Sequence, residues 1–272
     1  MKKVTMDNSR DVLKELKQKA DKDKSKILSR FFKTGHGEYG EGDKFLGITV
    51  PVSRTIAQKY GGLSFLEISK LLQSEYHEVR LVALHILVHQ YNQHKKLSTV
   101  SLRQGLGNKA SKNIKCQDNF PYPGGTEHVE KKKIVEFYLK HIKYINNWDL
   151  VDSSASYIVG DYLFENGDRK ILEKLAISKD LWERRIAIIS TFAFIYKGET
   201  KWTKKIVKML MKDKHDLIHK ACGWMLREMG KRVSEPELIL FLNTYTRQMP
   251  RTMLRYAIER LPESKRQYYL NL

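Results

Sequence analysis

The stretch INNWDLVDSSA, residues 145–155, sets Trp148 and Asp152 four positions apart. On a helix that spacing places an indole and a carboxylate on one face, one turn apart. A carboxylate stabilises a developing cation and can orient or deprotonate an attacking water. An aromatic face favours cations and packs against apolar surface. This acid stands in a strongly basic chain: 50 Lys+Arg oppose 31 Asp+Glu, a formal charge of +19 over 272 residues. Such an excess belongs to a surface that meets a polyanion, most often nucleic acid. Asp152 could then serve a positive charge that forms during a reaction while the basic surface holds phosphate. Singly, the residues have ordinary explanations. A tryptophan at helical spacing usually belongs to a core, and a lone aspartate usually caps a helix or faces water.

The elements that would carry these side chains are helical. Apolar residues recur at three- and four-residue steps in VEFYLKHI, LWERRIAIISTFAFI, KKIVKMLMK, LIHKACGWMLREM, ELILFLNTY and TMLRYAIERL. Pro51 suits a first helical turn, Ser64 a helix start, Gly230 a helix end and Pro250 the start of the next helix. Arg185, Lys220 and Arg255 recur at 35-residue intervals, each leading a small or apolar helical segment, and EVRLVALHIL around Arg80 matches ERRIAIISTF in pattern. A period of this length with two helices per unit predicts helical hairpins stacked into a solenoid, with an irregular bundle as the alternative. Ala83, Ala187, Ala221 and Ala257 would let neighbouring helices approach. One helix of each pair would line a concave surface, bringing Trp148, Asp152, Arg185 and Trp224 onto one wall. Arg185 could hold a phosphate in a bidentate grip, or pair with Glu183 or an acid on the next helix.

Two stretches break the pattern. Residues 34–47, TGHGEYGEGDKFLG, carry five glycines and predict a loop whose backbone could approach a ligand, though without dinucleotide or Walker spacing. Residues 95–128 are lysine-rich, contain PYPGG and show little periodicity. They predict a basic insertion in a single domain spanning 1–272, either reaching toward a phosphate backbone or dispensable.

Several classes fall away. Two cysteines, Cys116 and Cys222, predict a reducing compartment and no disulfide framework. No Cys/His cluster suggests a metal site, and no cofactor is implied. The N-terminal segment lacks the apolar core of a secretory signal, and no run approaches a membrane span. A cytoplasmic protein, associated with the nucleoid when bound to DNA, is expected.

The sequence resembles the DNA alkylation repair glycosylases built from HEAT-like repeats, the AlkD type. The resemblance lies in FFKTGHGEYGEGDKFLGITVPVSR (31–54), INNWDLVDSSASYIVGDYLF (145–164), LWERRIAIIS (181–190), HKACGWMLREMGK (219–231) and MPRTMLRYAIERLP (249–262). It implies an all-α, C-shaped solenoid whose concave groove cradles duplex DNA. It implies excision of cationic bases such as 3-methyladenine and 7-methylguanine without a base-flipping pocket. The family's catalytic aspartate falls on Asp152 and its sugar-contacting tryptophans on Trp148 and Trp224. Its active-site arginine falls on Arg185, with Arg184 as the adjacent alternative. An early aromatic position, often tyrosine in the family, is Phe31 here, which cannot donate a hydroxyl hydrogen bond. Phe31, Lys44, Arg54, Arg184, Lys220 and Arg255 are expected to contact DNA. The expected partner is duplex DNA carrying alkylated bases, engaged by a monomer away from membranes. The alternatives are a non-catalytic solenoid that binds distorted or branched DNA, and a helical scaffold for protein partners.

Overall fold

The structure, a computed structural model, describes the backbone of residues 8–107, 125–166 and 168–272, and the side chains of 8–94, 130–166 and 168–272. Every regular element among the described residues is helical; one isolated bridge joins Lys44 and Tyr76, and there is no strand. No described helix is long and apolar enough to cross a membrane. The chain divides into two compact units, Met1–Tyr144 and Ile145–Leu272.

The first unit holds α1 (Ser9–Gln18), α2 (Lys22–Phe31), α3 (Val50–Lys59), α4 (Phe65–Leu72), α5 (His77–Gly107) and α6 (Gly125–Lys140). Local chemistry sets the helix starts. Asn8 forms a capping box with Asp11, Ser64 accepts from the Glu67 amide, and Pro51 sits in the first turn of α3. Glu67 also ties α4 to α1 by accepting from the Ser9 amide at 2.8 Å and its hydroxyl at 2.6 Å.

The glycine-rich stretch is pinned at its base to α5. Buried Glu78 accepts from the amides of Leu46, Gly47 and Ile48 at 2.9, 2.8 and 3.1 Å. Arg80 donates to Asp43 at 2.6 Å and to the Ser74 carbonyl at 2.9 Å. Gly47 has φ +82°, and a methyl there would run into the Asp21 carbonyl, so this position requires glycine. At the tip, Glu38 accepts from the Gly35 amide at 2.9 Å and Glu41 from Gly37 at 2.8 Å. Those two amides are therefore spent on the loop's own carboxylates and do not form an anion cradle.

The segment expected to be non-periodic over about 95–128 is shorter. Helix α5 continues to Gly107 and α6 begins at Gly125. Residues 95–107 contain Leu, Lys, Arg and Gln, all good helix formers, and no proline to stop α5. Residues 108–124, which include Cys116, lie outside the described residues.

The second unit begins with α7 (Trp148–Asp152) and a π-helical turn (Ser156–Gly160). It continues with α8 (Asp161–Asn166), α9 (Lys170–Ala176), α10 (Leu181–Tyr196), α11 (Lys201–Leu210), α12 (Asp216–Arg232), α13 (Glu235–Tyr245), α14 (Arg251–Ile258) and α15 (Glu263–Leu270). Successive pairs, α9 with α10 and α11 with α12, pack as helical hairpins, and α10, α12 and α14 lie side by side. This is the stacked repeat that the 35-residue period predicts. Its core is continuous aliphatic surface: Ile186, Ile189, Ile206, Ile218, Leu226, Leu242 and Met253 are fully buried.

The four alanines named above are all buried, but the tightest helix approaches occur at glycines. A methyl at Gly160 would meet the Ser190 carbonyl of α10, and one at Gly223 the Met253 carbonyl of α14. Gly230 does not end its helix. It lies inside α12, where a methyl would meet Leu238 of α13 at 2.5 Å, so its small size serves packing.

Candidate active site in the second unit

Asn147 starts α7: its side chain accepts from the Trp148 amide at 2.8 Å. The helix is a single short turn, so Trp148 opens it and Asp152 closes it. A π-helical turn follows, a feature often found where a backbone is adapted to a site. Both Trp148 and Asp152 are half-buried.

Asp152 meets Arg185 of α10 in a two-pronged ion pair. Arg185 Nε donates to Oδ1 at 2.9 Å and Nη2 to Oδ2 at 2.7 Å. Nη1 donates to the Leu217 carbonyl of α12 at 2.6 Å. The side chains of Arg185 and Asp152 are 6% and 17% exposed. One guanidinium thus locks three helices, α7, α10 and α12, at the acid. The sequence allowed Arg185 either a phosphate or an acidic neighbour, and the structure gives its fork to Asp152. An arginine fork matches a carboxylate as well as it matches a phosphate, and the carboxylate is the partner within reach.

Burial pushes the Asp152 carboxyl above its ordinary value, because the charged form loses water. Arg185 pulls in the opposite direction by charge and hydrogen bonding, offsetting part of the rise. The two-pronged bond holds the carboxyl group in one orientation against a fixed cation.

The adjacent arginine is committed elsewhere. Arg184 Nε donates to Asp213 at 2.6 Å, and its Nη1 to the Ser178 and Lys179 carbonyls at 3.0 and 2.9 Å. It is therefore a structural pin between α10 and the turn before α12. Arg80 uses the same geometry, donating six residues back to Ser74, and His219 does so through Nε2 to the Asp213 carbonyl at 2.5 Å. Arg80 thus corresponds to Arg184, not to Arg185 as the matched segments suggested. In that register Leu81 stands where Arg185 stands.

Trp224 lies on α12 seven residues after Leu217, on the same helix face. Its ring packs at 5.6 Å from Phe192 of α10, and it is half-buried. Lys220 pairs with Asp216 at 2.7 Å. Arg255 is exposed, with no ion pair to another described residue. Phe31, Lys44 and Arg54 belong to the first unit. Phe31 is 62% exposed, Lys44 pairs with Glu75 at 2.6 Å, and Arg54 is exposed without an ion pair among the described residues.

Sequence reasoning missed the support behind Arg185. The Leu217 carbonyl that accepts it lies two residues after His215, the N-cap of α12, whose Nδ1 accepts from the Leu217 amide at 3.2 Å. Asp213 in turn accepts from the His215 amide at 2.8 Å. Burial holds the His215 imidazole below its ordinary value, favouring the neutral ring that can accept. Histidine is not among the usual N-cap residues, so no sequence signal marked it. Among the described residues, no group of three or more His, Cys, Asp or Glu could hold a metal ion.

The fold and this cluster define a class: an all-helical repeat protein with a half-buried acid paired to a buried arginine between hairpins, and a tryptophan on the same helix faces. The model of the DNA alkylation repair enzyme family matches residues 12–261, and the chain belongs to that family. Among solved structures, it resembles a predicted DNA alkylation repair enzyme from Enterococcus faecalis, with TM-score 0.62 and 15% identity, covering 90% of this chain and 97% of that one. At that identity the likeness is one of fold. No curated protein sequence matches the chain.

Proposed function

We propose that this protein is a monofunctional alkylpurine DNA glycosylase, hydrolysing the N-glycosidic bond of cationic purines such as 3-methyladenine and 7-methylguanine in duplex DNA. The observation that carries the proposal is the Asp152–Arg185 pair, a half-buried and oriented carboxylate in a chain of charge +19. Family membership supplies DNA alkylation repair as the context.

The chemistry suits a single acid. An alkylated purine of this class already carries a positive ring, so its bond to C1′ is weak without further protonation. The bonding pair leaves with the base, which departs neutral, and positive charge passes to the sugar. Asp152 stabilises that cation and receives the proton of the water that adds to C1′. The products are the neutral base, an abasic sugar and one proton released to solvent. Arg185 does not touch the sugar in this scheme. It fixes the carboxylate and favours its ionised form. Trp148 and Trp224 supply faces for the deoxyribose and the cationic character it acquires. The reaction uses no lysine Schiff base, so strand cleavage is not expected.

Release of 3-methyladenine and 7-methylguanine from methylated duplex DNA tests this. Wild type should release both, and Asp152→Asn should lose about 10²-fold or more in rate, the scale seen when one aimed electrostatic group is removed. DNA binding by wild type without any base release would overturn the enzyme proposal and favour a non-catalytic DNA-binding solenoid.

A further inference from the structure

Past Trp224, the seam along the face of α10 that carries Arg185 continues into Phe192, Tyr196 and Arg232, which the proposed reaction does not use. Phe192 and Tyr196 follow Arg185 at seven and eleven residues, so all three lie on one stripe of the helix. Opposite them on α12, Leu217, Trp224 and Glu228 form a matching stripe, with Arg232 one turn beyond. The contacts alternate along this seam. Leu217 meets Arg185, Trp224 meets Phe192 at 5.6 Å, Phe192 meets Tyr196 at 4.7 Å, and the Arg232 guanidinium lies 4.5 Å from the Tyr196 ring and 5.6 Å from Phe192. From Arg185 to Tyr196 the seam runs about 16 Å at roughly 1.5 Å per residue.

Exposure rises along it. Arg185 is buried, Phe192 and Trp224 are half-buried, and Tyr196 is 60% exposed. Buried Glu228 fixes Arg232 by accepting from Nε at 2.7 Å. The Nη1 and Nη2 groups of Arg232 make no hydrogen bond to any described residue, and neither does the indole N–H of Trp224. Fold stability alone gives little reason for this arrangement. Near-surface ion pairs contribute about 0–1 kcal/mol, and exposed cation–π contacts about 0.5–1 kcal/mol. A guanidinium anchored at Nε beside aromatic rings presents its outer N–H groups as a preformed fork, the geometry that binds phosphate. An exposed tyrosine ring beside that fork is a stacking surface for any base.

We propose that Phe192, Tyr196 and Arg232, adjoining Trp224, form a second nucleotide site, where the Arg232 fork binds a backbone phosphate and Tyr196 stacks an unpaired base. The inference rests on the proposal that this face of the second unit takes DNA. It adds a contact remote from the sugar being attacked, one that favours duplexes with a broken pair.

The test is equilibrium binding of two labelled duplexes across a salt series. One is fully paired, and the other carries a single tetrahydrofuran abasic analogue that leaves its partner base unpaired. Neither is a substrate for hydrolysis, so turnover does not enter. Wild type should bind the second duplex more tightly. Arg232→Met keeps the apolar stem against the rings and removes the fork. It should weaken binding of both duplexes and lower the log K against log salt slope by about 0.9, the loss of one phosphate contact. Arg232→Lys should retain most of the slope. Tyr196→Ala should keep the slope and lose the preference for the unpaired duplex, a loss of about tenfold in affinity if one base stacks there. Wild-type slope in Arg232→Met, or an intact preference in Tyr196→Ala, in protein with unchanged thermal melting, would show that the cluster only packs. If wild type binds neither duplex at low salt, the DNA proposal and this site fall together. If wild type releases alkylated bases while both variants bind as wild type does, this site alone falls.

Discussion

At the scale of single residues, the decisive fact is the partner of Asp152. A carboxylate in this position must be ionised to stabilise a cation or accept a proton. Burial raises its folded-state pKa and Arg185 lowers it, with burial the larger influence. The acid limb of the base-release rate should therefore lie above the ordinary aspartate value of about 3.9. Arg185→Gln removes the influence that favours the anion and keeps a hydrogen-bond donor near it. The limb should then move to higher pH, because protonation of Asp152 becomes easier. Rate–pH profiles of wild type and Arg185→Gln measure this, and a limb that stays in place or moves down would contradict the assigned electrostatics. Arg184 offers the internal comparison. It sits one residue away but is bonded to Asp213 and two carbonyls, so it holds α10 to the turn before α12 and does not touch the acid.

At the scale of elements, the site depends on how closely helices stack. Three helices meet through one guanidinium, and that contact tolerates little shift in their spacing. Gly223 sets the approach of α12 to α14, since any Cβ there would collide with backbone at Met253 and with Tyr256. Gly223→Ala should destabilise the protein by about 1–3 kcal/mol, the usual cost of overpacking a tight contact. Urea unfolding midpoints read this directly, and an unchanged midpoint would mean that the helices can part without cost. Much of this level was legible from sequence. The 3.6-residue periodicity marked the helices, Ser64 and Pro51 marked starts, and the 35-residue recurrence of Arg185, Lys220 and Arg255 marked the hairpin stack. Gly230 packs inside α12 and does not end it, since a glycine required for close packing and a glycine required for a C-cap look alike in one dimension. The register of Arg80 differs by one from the pattern match, because its bond to the Ser74 carbonyl six residues back, which Arg184 repeats with Ser178, is a matter of geometry and not of residue pattern.

At the scale of the whole molecule, the charge of +19 carries the expectation about partners. Duplex affinity should fall steeply with salt, log K dropping by roughly 0.9 per phosphate contact for each decade of concentration. Fluorescence anisotropy between about 50 and 200 mM salt would check it in the range where that dependence is strongest. A flat response would point to a helical scaffold for protein partners instead. The charge does not say where the phosphates bind, since several of the expected contacts are partly neutralised within the protein. Lys44 is paired with Glu75, Lys220 with Asp216 and Arg184 with Asp213, whereas Arg54 and Arg255 are exposed without an ion pair among the described residues.

The sequence by itself determined the helical class, the repeat, and the indole and acid that bound one turn at Trp148 and Asp152. These follow from spacing along a single chain, where an α-helix brings residues three and four apart together whatever else the protein does. Only the tertiary structure decided which arginine of the doublet faces the acid, that a carbonyl at Leu217 and a histidine cap behind it complete the support, and that Phe192, Tyr196 and Arg232 extend the same seam. Those outcomes join residues more than thirty positions apart across α7, α10 and α12. The rotation of each helix about its axis and the close approaches at Gly160 and Gly223 belong to the packed structure and have no counterpart in local spacing.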